Sequence, residues 1–239
     1  DNPAERARIK DTLPEVFVPE WPEDKMLYKK TLLGLRCFDS PIFSKEDSER
    51  TKTYISERKR KEIKRSVGSL DEWLKKLKIR VKIEELTEAN IQRTTQLLNK
   101  TNQMNLTTRR LTESELLSWV KQRDHILFTF RVLDKFGDSG LTGIISLEIK
   151  NNEARIIDFV LSCRVFGRKI EETMIYTVID YAKNKGQKEI VAKFIQTEKN
   201  KPCLRFWKNS GFEYNKNEDI YSWELNKPYI LHDSIEIEQ

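Results

Sequence analysis

Ile156-Ile157-Asp158-Phe159-Val160-Leu161-Ser162-Cys163-Arg164-Val165-Phe166-Gly167-Arg168-Lys169-Ile170 is the stretch that decides the fold. Ile156 to Leu161 is an almost unbroken apolar run of branched and aromatic residues, the pattern of a strand covered on both faces, and Asp158 interrupts it. A turn around Gly167 follows. Ile170, Met174, Val178 and Ala182 then recur at helical spacing until Gly186 ends the helix. The helix therefore starts beside Arg164, Arg168 and Lys169. Free N–H groups, the positive end of the helix dipole and these cations together suit an anion such as a pyrophosphate. The same residues also read as a glycine turn with solvated cations, and context has to separate the two.

Outward from this stretch the pattern is regular from Arg80. Arg80 to Glu85 alternates as a strand, and Glu88 to Lys100 and Thr112 to Gln122 are helices, the second capped by Thr112 with Glu115 three residues on. Ile126 to Leu133 and Leu141 to Lys150 are strands joined by the glycine- and aspartate-containing loop at Lys135 to Gly140, and Asn151-Asn152 turns the chain into the central strand. After the central helix come a strand at Glu189 to Ile195, a short helix at Pro202 to Asn209, and strands at Phe212 to Tyr214 and Ile220 to Leu225. The order is βααβββαβαββ, an α/β chain with a central mixed sheet.

Upstream, Ser69-Leu70-Asp71-Glu72-Trp73-Leu74 opens a helix with Ser69 and Glu72 as its capping pair and Leu70, Trp73, Leu74 and Leu77 on one face. Ser44 to Ser66 is a charged helix with few apolar anchors, read as a connector. In the first forty residues Asn2 and Pro3 start a helix, Glu15 to Pro19 reads as a short strand, and Asp24 opens a second helix through Leu27, Thr31 and Leu35. A lone strand cannot satisfy its own backbone groups, so this piece is expected to belong to a domain whose other strands lie elsewhere. The expected division is 1–40 domain remnant, 41–79 helical linker, 80–230 main domain and 231–239 tail.

The chain has 239 residues, 44 Lys and Arg against 38 Asp and Glu, and a formal net charge of +6. No apolar run approaches the roughly 18 residues of a membrane span, and no signal peptide opens the chain, so a cytoplasmic protein without membrane association is expected. Cys37, Cys163 and Cys203 are widely spaced and suggest neither a disulfide framework nor a structural zinc site. His125 and His232 are the two imidazoles, too few for a histidine metal cluster. Much of the excess charge lies in Arg58-Lys59-Arg60-Lys61 with Lys64 and Arg65, where interleaved Glu57 and Glu62 favour a solvated face or an acidic protein partner over nucleic acid.

The element order, with a basic turn after the fourth strand, resembles the GNAT (N-acetyltransferase) superfamily of acyl-CoA-dependent transferases. Arg164 and Gly167 match that family's turn, and Lys169 departs from it where a glycine or alanine is usual. Asn200-Lys201-Pro202-Cys203-Leu204-Arg205-Phe206-Trp207-Lys208-Asn209-Ser210-Gly211-Phe212 resembles its second motif. Trp207 stands where a tyrosine usually protonates the leaving thiolate, and an indole cannot act as that acid; Tyr214 and Tyr221 are the phenols that could substitute. A closer resemblance is carried by Asn99 to Arg110 and by Ser162 to Arg168. These are similar to the FkbH-like proteins, which join a haloacid-dehalogenase (HAD) phosphatase domain to a GNAT-like domain, and Asp1 to Arg6 resembles the end of that phosphatase domain.

The resemblance implies transfer of a small hydroxyacyl, glyceryl-type group from a phosphorylated donor to the phosphopantetheine thiol of an acyl carrier protein. CoA or a phosphopantetheine thioester would be held by Arg164, Gly167, Arg168, Lys169 and Asn200, with magnesium for the complete phosphatase and Asp1 as one ligand. A lone carboxylate binds magnesium poorly. Cys163, beside Arg164 and a helix start, is a candidate acyl-enzyme nucleophile or a packed thiol, and Asp158 a candidate general base. Strict alternation puts Asp158 on the face of Ser162 and away from Cys163 unless the strand bulges. Asn102, Asn105, Thr107, Thr108, Arg109 and Arg110 offer groups for a phosphate or a pantetheine arm, or cap their own loop. A non-catalytic carrier-docking module and an acetyl-CoA-dependent N-acetyltransferase are the alternative functions.

Overall fold

The structure is a computed structural model that describes residues 2–37 and 45–238, with the backbone alone for 45–53. The expected cap at Ser44 and the candidate metal ligand Asp1 lie outside the described residues. Two compact units divide the chain, Asp1–Arg50 and Thr51–Gln239.

In the first unit α1 (Pro3–Thr12) is capped by Asn2, whose side chain accepts from the Ala4 N–H at 2.9 Å. Asp24 caps a short 3-10 turn in the same way and leads into α2 (Tyr28–Gly34). The strand expected at Glu15 to Pro19 is not formed. An extended segment becomes a strand only when a neighbour takes its backbone groups, and among the described residues none does. Neither helix buries a residue, and Phe17, Leu32 and Leu33 are exposed.

The second unit follows the expected order. It holds α3 from Thr51 onward (the helix spans Lys45–Ser66), α4 (Leu70–Leu77), β1 (Ile79–Glu85), α5 (Ile91–Lys100), α6 (Glu113–Val120), β2 (His125–Asp134) and β3 (Gly137–Lys150). It continues through β4 (Glu153–Leu161), α7 (Ile170–Asn184), β5 (Glu189–Ala192), α8 (Lys201–Asn209), β6 (Glu213–Asn215), β7 (Ile220–Glu224) and β8 (Ile235–Glu238). One sheet runs β6-β7-β5-β4-β3-β2-β1-β8, parallel at β4/β5 and β1/β8 and antiparallel elsewhere. The capping box at Thr112 and Glu115 is complete, and Asn151 and Asn152 both take positive φ, 50° and 66°, as a tight hairpin turn between twisted strands requires.

Two expected boundaries move. Residues 231–239 are not a tail: Ile235 and Ile237 alternate with Glu236 and Glu238, and this period-2 pattern pairs with the β1 edge as β8. The end of the expected linker also belongs to the second unit's core, because Trp73, Leu74 and Leu77 of α4 are buried in its main apolar cluster.

Alternation along β4 explains why both of its faces are covered. Phe159 and Leu161 join the cluster built with α7 and α8, while Val160 joins Ile91, Leu98 and Leu116 of α5 and α6. Close approach of α7 to β3 depends on Gly143, where an added Cβ would lie 3.0 Å from Met174 Sδ, 3.2 Å from Leu161 Cδ1 and 3.3 Å from Phe130 Cβ. Gly143→Ala is expected to destabilise the second unit by about 1–3 kcal/mol through overpacking, read as a lower urea midpoint.

Candidate functional site at the fork of β4 and β5

Two parallel strands that separate leave backbone groups open between them. β4 and β5 pair from Glu153/Glu189 to Ile156/Ala192 and then part, leaving Ile157, Phe159 and Leu161 of β4 without a partner on β5. At the parting point the β3/β4 register slips, so Ser146 faces Asp158 and Leu147 faces Ile156 with Ile157 extra. This bulge is held by a side chain: Ser146 Oγ accepts from the Asp158 N–H at 3.0 Å and donates to Asp158 Oδ2 at 2.6 Å.

The segment between α5 and α6 enters the gap. Leu161 N–H donates to Met104 C=O at 3.0 Å, Leu106 N–H to Phe159 C=O at 3.1 Å, and Thr107 Oγ1 to Ile157 C=O at 3.1 Å. Asn105 and Val160 form an antiparallel bridge. On the far side Ile195 N–H donates to Leu106 C=O at 3.0 Å, and Cys203 N–H to Gln103 C=O at 3.3 Å. Buried Asn200 fastens both sides, its Nδ2 donating to Asn105 C=O at 3.1 Å and Ile195 C=O at 2.8 Å.

The six polar residues expected to meet substrate are therefore engaged inside the chain. Asn105 Nδ2 donates to Thr101 C=O, and its Oδ1 accepts from Thr108 N–H, holding Thr108 at φ 55°, an unusual conformation for a branched residue. Arg110 donates to the Leu98 and Thr101 carbonyls and to Asn102 Oδ1. Arg109 grips Asp158 through Nε at 3.2 Å and a second, shorter contact, while its guanidinium lies 4.7 Å from the centre of the Trp119 ring. Asp158, the candidate general base, is fully buried, and both of its oxygens are engaged by Arg109 and Ser146. The bulge lies before Asp158, so alternation beyond it is intact and Asp158 is not brought to the face of Cys163.

At the turn, Cys163 and Arg164 are exposed in a short 3-10 segment capped by Ser162. Gly167 has φ 69°, and its N–H donates to Glu171 Oε1 at 3.1 Å. Lys169, at φ 64°, is ion-paired with Glu172 at 2.6 Å. Arg168 departs from its expected role on an anion. It is buried, donating to Glu57 at 2.7 Å and to the Arg164 carbonyl at 2.6 Å, with Asp134 Oδ2 at 3.4 Å. Arg60 joins the same group through Asp134, at 2.6 and 2.9 Å, and Glu57, at 2.9 Å. Two cations and two carboxylates thus close a neutral cluster, buried except at half-exposed Glu57, joining α3, the end of β2 and the turn. Burial opposes the charge on both arginines. Asp134 and Glu57 outweigh it at Arg60, whose pKa rises, and do not at Arg168, whose pKa falls.

Trp207 is fully buried against Phe159, Phe206, Phe212 and Tyr221, so an aromatic wall fills the side of the fork where an acid would be sought. Burial raises the Tyr221 phenol, and the hydrogen bond that exposed Tyr214 donates to Asp219 Oδ1 at 2.7 Å raises its own phenol. Cys203 is buried, and burial pushes its thiol up to about 12. Cys37 is exposed in the turn after α2. Glu171, Glu57, Asp134 and Ser146 were not singled out from sequence. The acidic first turn of α7 was the one readable signal for Glu171.

No family model matches the chain, and no curated protein matches it. Solved structures do. A GNAT-family acetyltransferase from Staphylococcus aureus Mu50 is 14% identical with a TM-score of 0.48, covering 61% of this chain and 99% of that one. The ribosomal-protein-S18-alanine N-acetyltransferase of Escherichia coli is 9% identical with a TM-score of 0.46, covering 62% and 96%. The spermidine N-acetyltransferase of Vibrio cholerae, solved with CoA and spermine, is 16% identical with a TM-score of 0.47, covering 62% and 96%. At these scores and identities none of the three bears on substrate or chemistry. Among the described residues no group of His, Cys, Asp and Glu is arranged to hold a metal, and no helix is long and apolar enough to cross a membrane.

Arg109→Ala would leave Asp158 buried and without its cation, an expected loss of about 3–5 kcal/mol in chemical denaturation. Arg109→Lys is expected to recover less than half of it, since one ammonium cannot bridge both oxygens. For Cys203 the sign follows from its raised folded pKa. The unfolded thiol ionises near its ordinary value of 9.0 and the folded one at about 12. Stability is full below pH ~9 and falls by about 1.4 kcal/mol per pH unit above it. Cys203→Ala is expected to flatten that slope in unfolding measured from pH 8 to 11, and a thiol reagent at pH 8 is expected to modify Cys37 and Cys163 while sparing Cys203 until the protein unfolds.

Proposed function

We propose that this chain is the acyltransferase part of an FkbH-like protein, with residues 1–40 the end of its HAD-type phosphatase domain. It handles a small hydroxyacyl group of the glyceryl type and passes it to the phosphopantetheine thiol of an acyl carrier protein. One observation carries this reading. Of the two thiols in the second unit, Cys203 is sealed behind the fork, while Cys163 is exposed at the end of β4 next to exposed Arg164. An exposed thiol next to a guanidinium can meet a carrier's phosphopantetheine thiol at the surface, where a buried one cannot.

In this reading the Cys163 thiolate attacks the acyl carbon of a phosphorylated donor, the bond from that carbon to the phosphate oxygen breaks, and phosphate leaves as the thioester forms. The carrier's thiolate then takes the acyl group and releases the Cys163 thiolate. Arg164 supplies positive charge for the phosphate and for the carrier's phosphopantetheine. Lys59, Lys61 and Arg65, exposed on α3, suit the acidic surface of a carrier.

A second reading, a carrier-docking module without chemistry of its own, is favoured by the engagement of Asp158 and Asn105 inside the chain. Intact mass spectrometry separates the two. The chain is incubated with a glyceryl acyl phosphate and then with holo carrier protein, using wild type, Cys163→Ala and Cys37→Ala. A glyceryl adduct on wild type and Cys37→Ala, absent from Cys163→Ala and moving to the carrier, is expected. An adduct indifferent to Cys163 removes the cysteine from the mechanism. Carrier binding without any adduct, weakened by Lys59→Glu with Lys61→Glu, leaves the docking module. Turnover of acetyl-CoA with an amine would replace both with an N-acetyltransferase.

A further inference from the structure

We propose that the fork is shut to coenzyme A: Met104–Thr107 permanently occupies the strand edge a pantetheine arm would need, and the Glu171 carboxyl occupies the anion nest at the start of α7.

A pantetheine arm is an extended chain with two amides. Such a chain enters a sheet by adding to an open edge, exchanging main-chain hydrogen bonds with alternate residues. The free edge of β4 past Ile156 offers Ile157 C=O, Phe159 C=O and Leu161 N–H. Thr107, Leu106 and Met104 engage these three groups at 3.0 to 3.1 Å. The opposite wall is also closed, because Leu106 C=O receives the Ile195 N–H and Asn200 clamps Asn105 to Ile195. Met104, Asn105 and Leu106 are buried, so the segment is packed into the gap and does not merely pass over it. Removing it would expose Leu106 and Met104 and leave several buried backbone groups unpaired, each costing about 1–3 kcal/mol.

The nest is filled by the same logic. Glu171, on the second residue of α7, is 5% exposed, and its Oε1 accepts the Gly167 N–H that a pyrophosphate would use. Its Oε2 has no partner. Burial raises the Glu171 pKa, so the carboxyl carries a proton more readily than a free one, and in either form it fills the space. Arg168, the cation nearest Gly167 in sequence, faces inward to Glu57 and Asp134. A phosphate arriving here would meet a carboxyl and lack that arginine. The inference is independent of any role for Cys163, since a carrier's phosphopantetheine thiol reaching the exposed turn need not enter the fork.

The test is calorimetry with coenzyme A, together with amide hydrogen exchange. Wild type is expected to show no binding up to about 1 mM coenzyme A, and slow exchange at Leu106, Leu161 and Ile195 that the ligand leaves unchanged. Asn200→Ala is expected to speed exchange at Leu106 and Ile195 at least tenfold, because the clamp is lost. Glu171→Ala vacates the nest and is expected to bind inorganic pyrophosphate about tenfold more tightly than wild type. Coenzyme A bound by wild type at a Kd below about 100 μM, with altered exchange at Gly167, Leu106 or Leu161, would overturn the proposal. Binding that leaves those amides unchanged lies elsewhere and supports it. Equal pyrophosphate binding by wild type and Glu171→Ala would overturn the nest half alone.

Discussion

The unpaired edge of β4 is the constraint on which the site depends. Parallel strands that diverge leave N–H and C=O groups facing a gap, and a buried backbone group without a partner is rarely tolerated. Something must therefore enter the fork between β4 and β5. Here it is the chain itself, through Met104 to Thr107, and the choice of those residues follows from the task. Met104 and Leu106 point apolar side chains into the packed interior, Asn105 ties the loop to Thr101 and Thr108, and Thr107 carries a hydroxyl to the carbonyl at the bulge. Asn200 reaches in from the start of α8 because both carbonyls it meets would otherwise be short of donors.

A second constraint acts at the other end of β4. The turn from Cys163 to Lys169 carries Arg164, Arg168 and Lys169, and uncompensated positive charge beside a helix start would be destabilising. The chain divides these cations by depth. Lys169 stays near the surface with Glu172, Arg164 faces solvent, and Arg168 goes inward to share Glu57 and Asp134 with Arg60. Glu57 and Arg60 belong to α3, so a helix with few apolar anchors is positioned by buried charge and by the Trp73 indole, which donates to the Arg60 carbonyl at 3.2 Å. Replacing one partner of such a cluster strands another charge, so its members are coupled and single substitutions there will not add.

These two constraints explain what could be read from the sequence. Element order, the central helix and the capping residues Asn2, Ser69 and Thr112 are local, set by periodicity and side-chain reach, and they were legible. Long-range pairing was not. Nothing near Arg168 announces that its partners are 34 and 111 residues away, and the charged face of α3 reads as solvated because burial of Arg60 depends on Asp134 across the fold. Residues 231–239 look like a tail because a strand of four residues has meaning only beside β1. Glu15 to Pro19 is the converse case, a strand-like pattern with no neighbour among the described residues to complete it. For Asn102 to Arg110, side-chain chemistry alone could not say whether the donors face a ligand or the chain's own carbonyls.

The two cysteines of the second unit show how the same constraints separate chemistry from packing. Cys203 lies on α8 behind Trp207, in a region where burial holds the thiol protonated to about pH 12, so its sulfur serves as a small apolar filler. Trp207 belongs to that filling too, since it is fully buried and its ring packs against both Phe159 and Tyr221. If the fork is closed as proposed, reactivity would be confined to its rim. The rim is the short turn where Ser162 caps, Cys163 faces outward and Arg164 leaves its guanidinium in solvent. A thiol there has no enclosure to exclude water from an acyl intermediate, so a thioester on Cys163 would persist only if a partner's surface covered it. Docking and chemistry would then be one event, with the acyl group exposed to hydrolysis only while the partner is away.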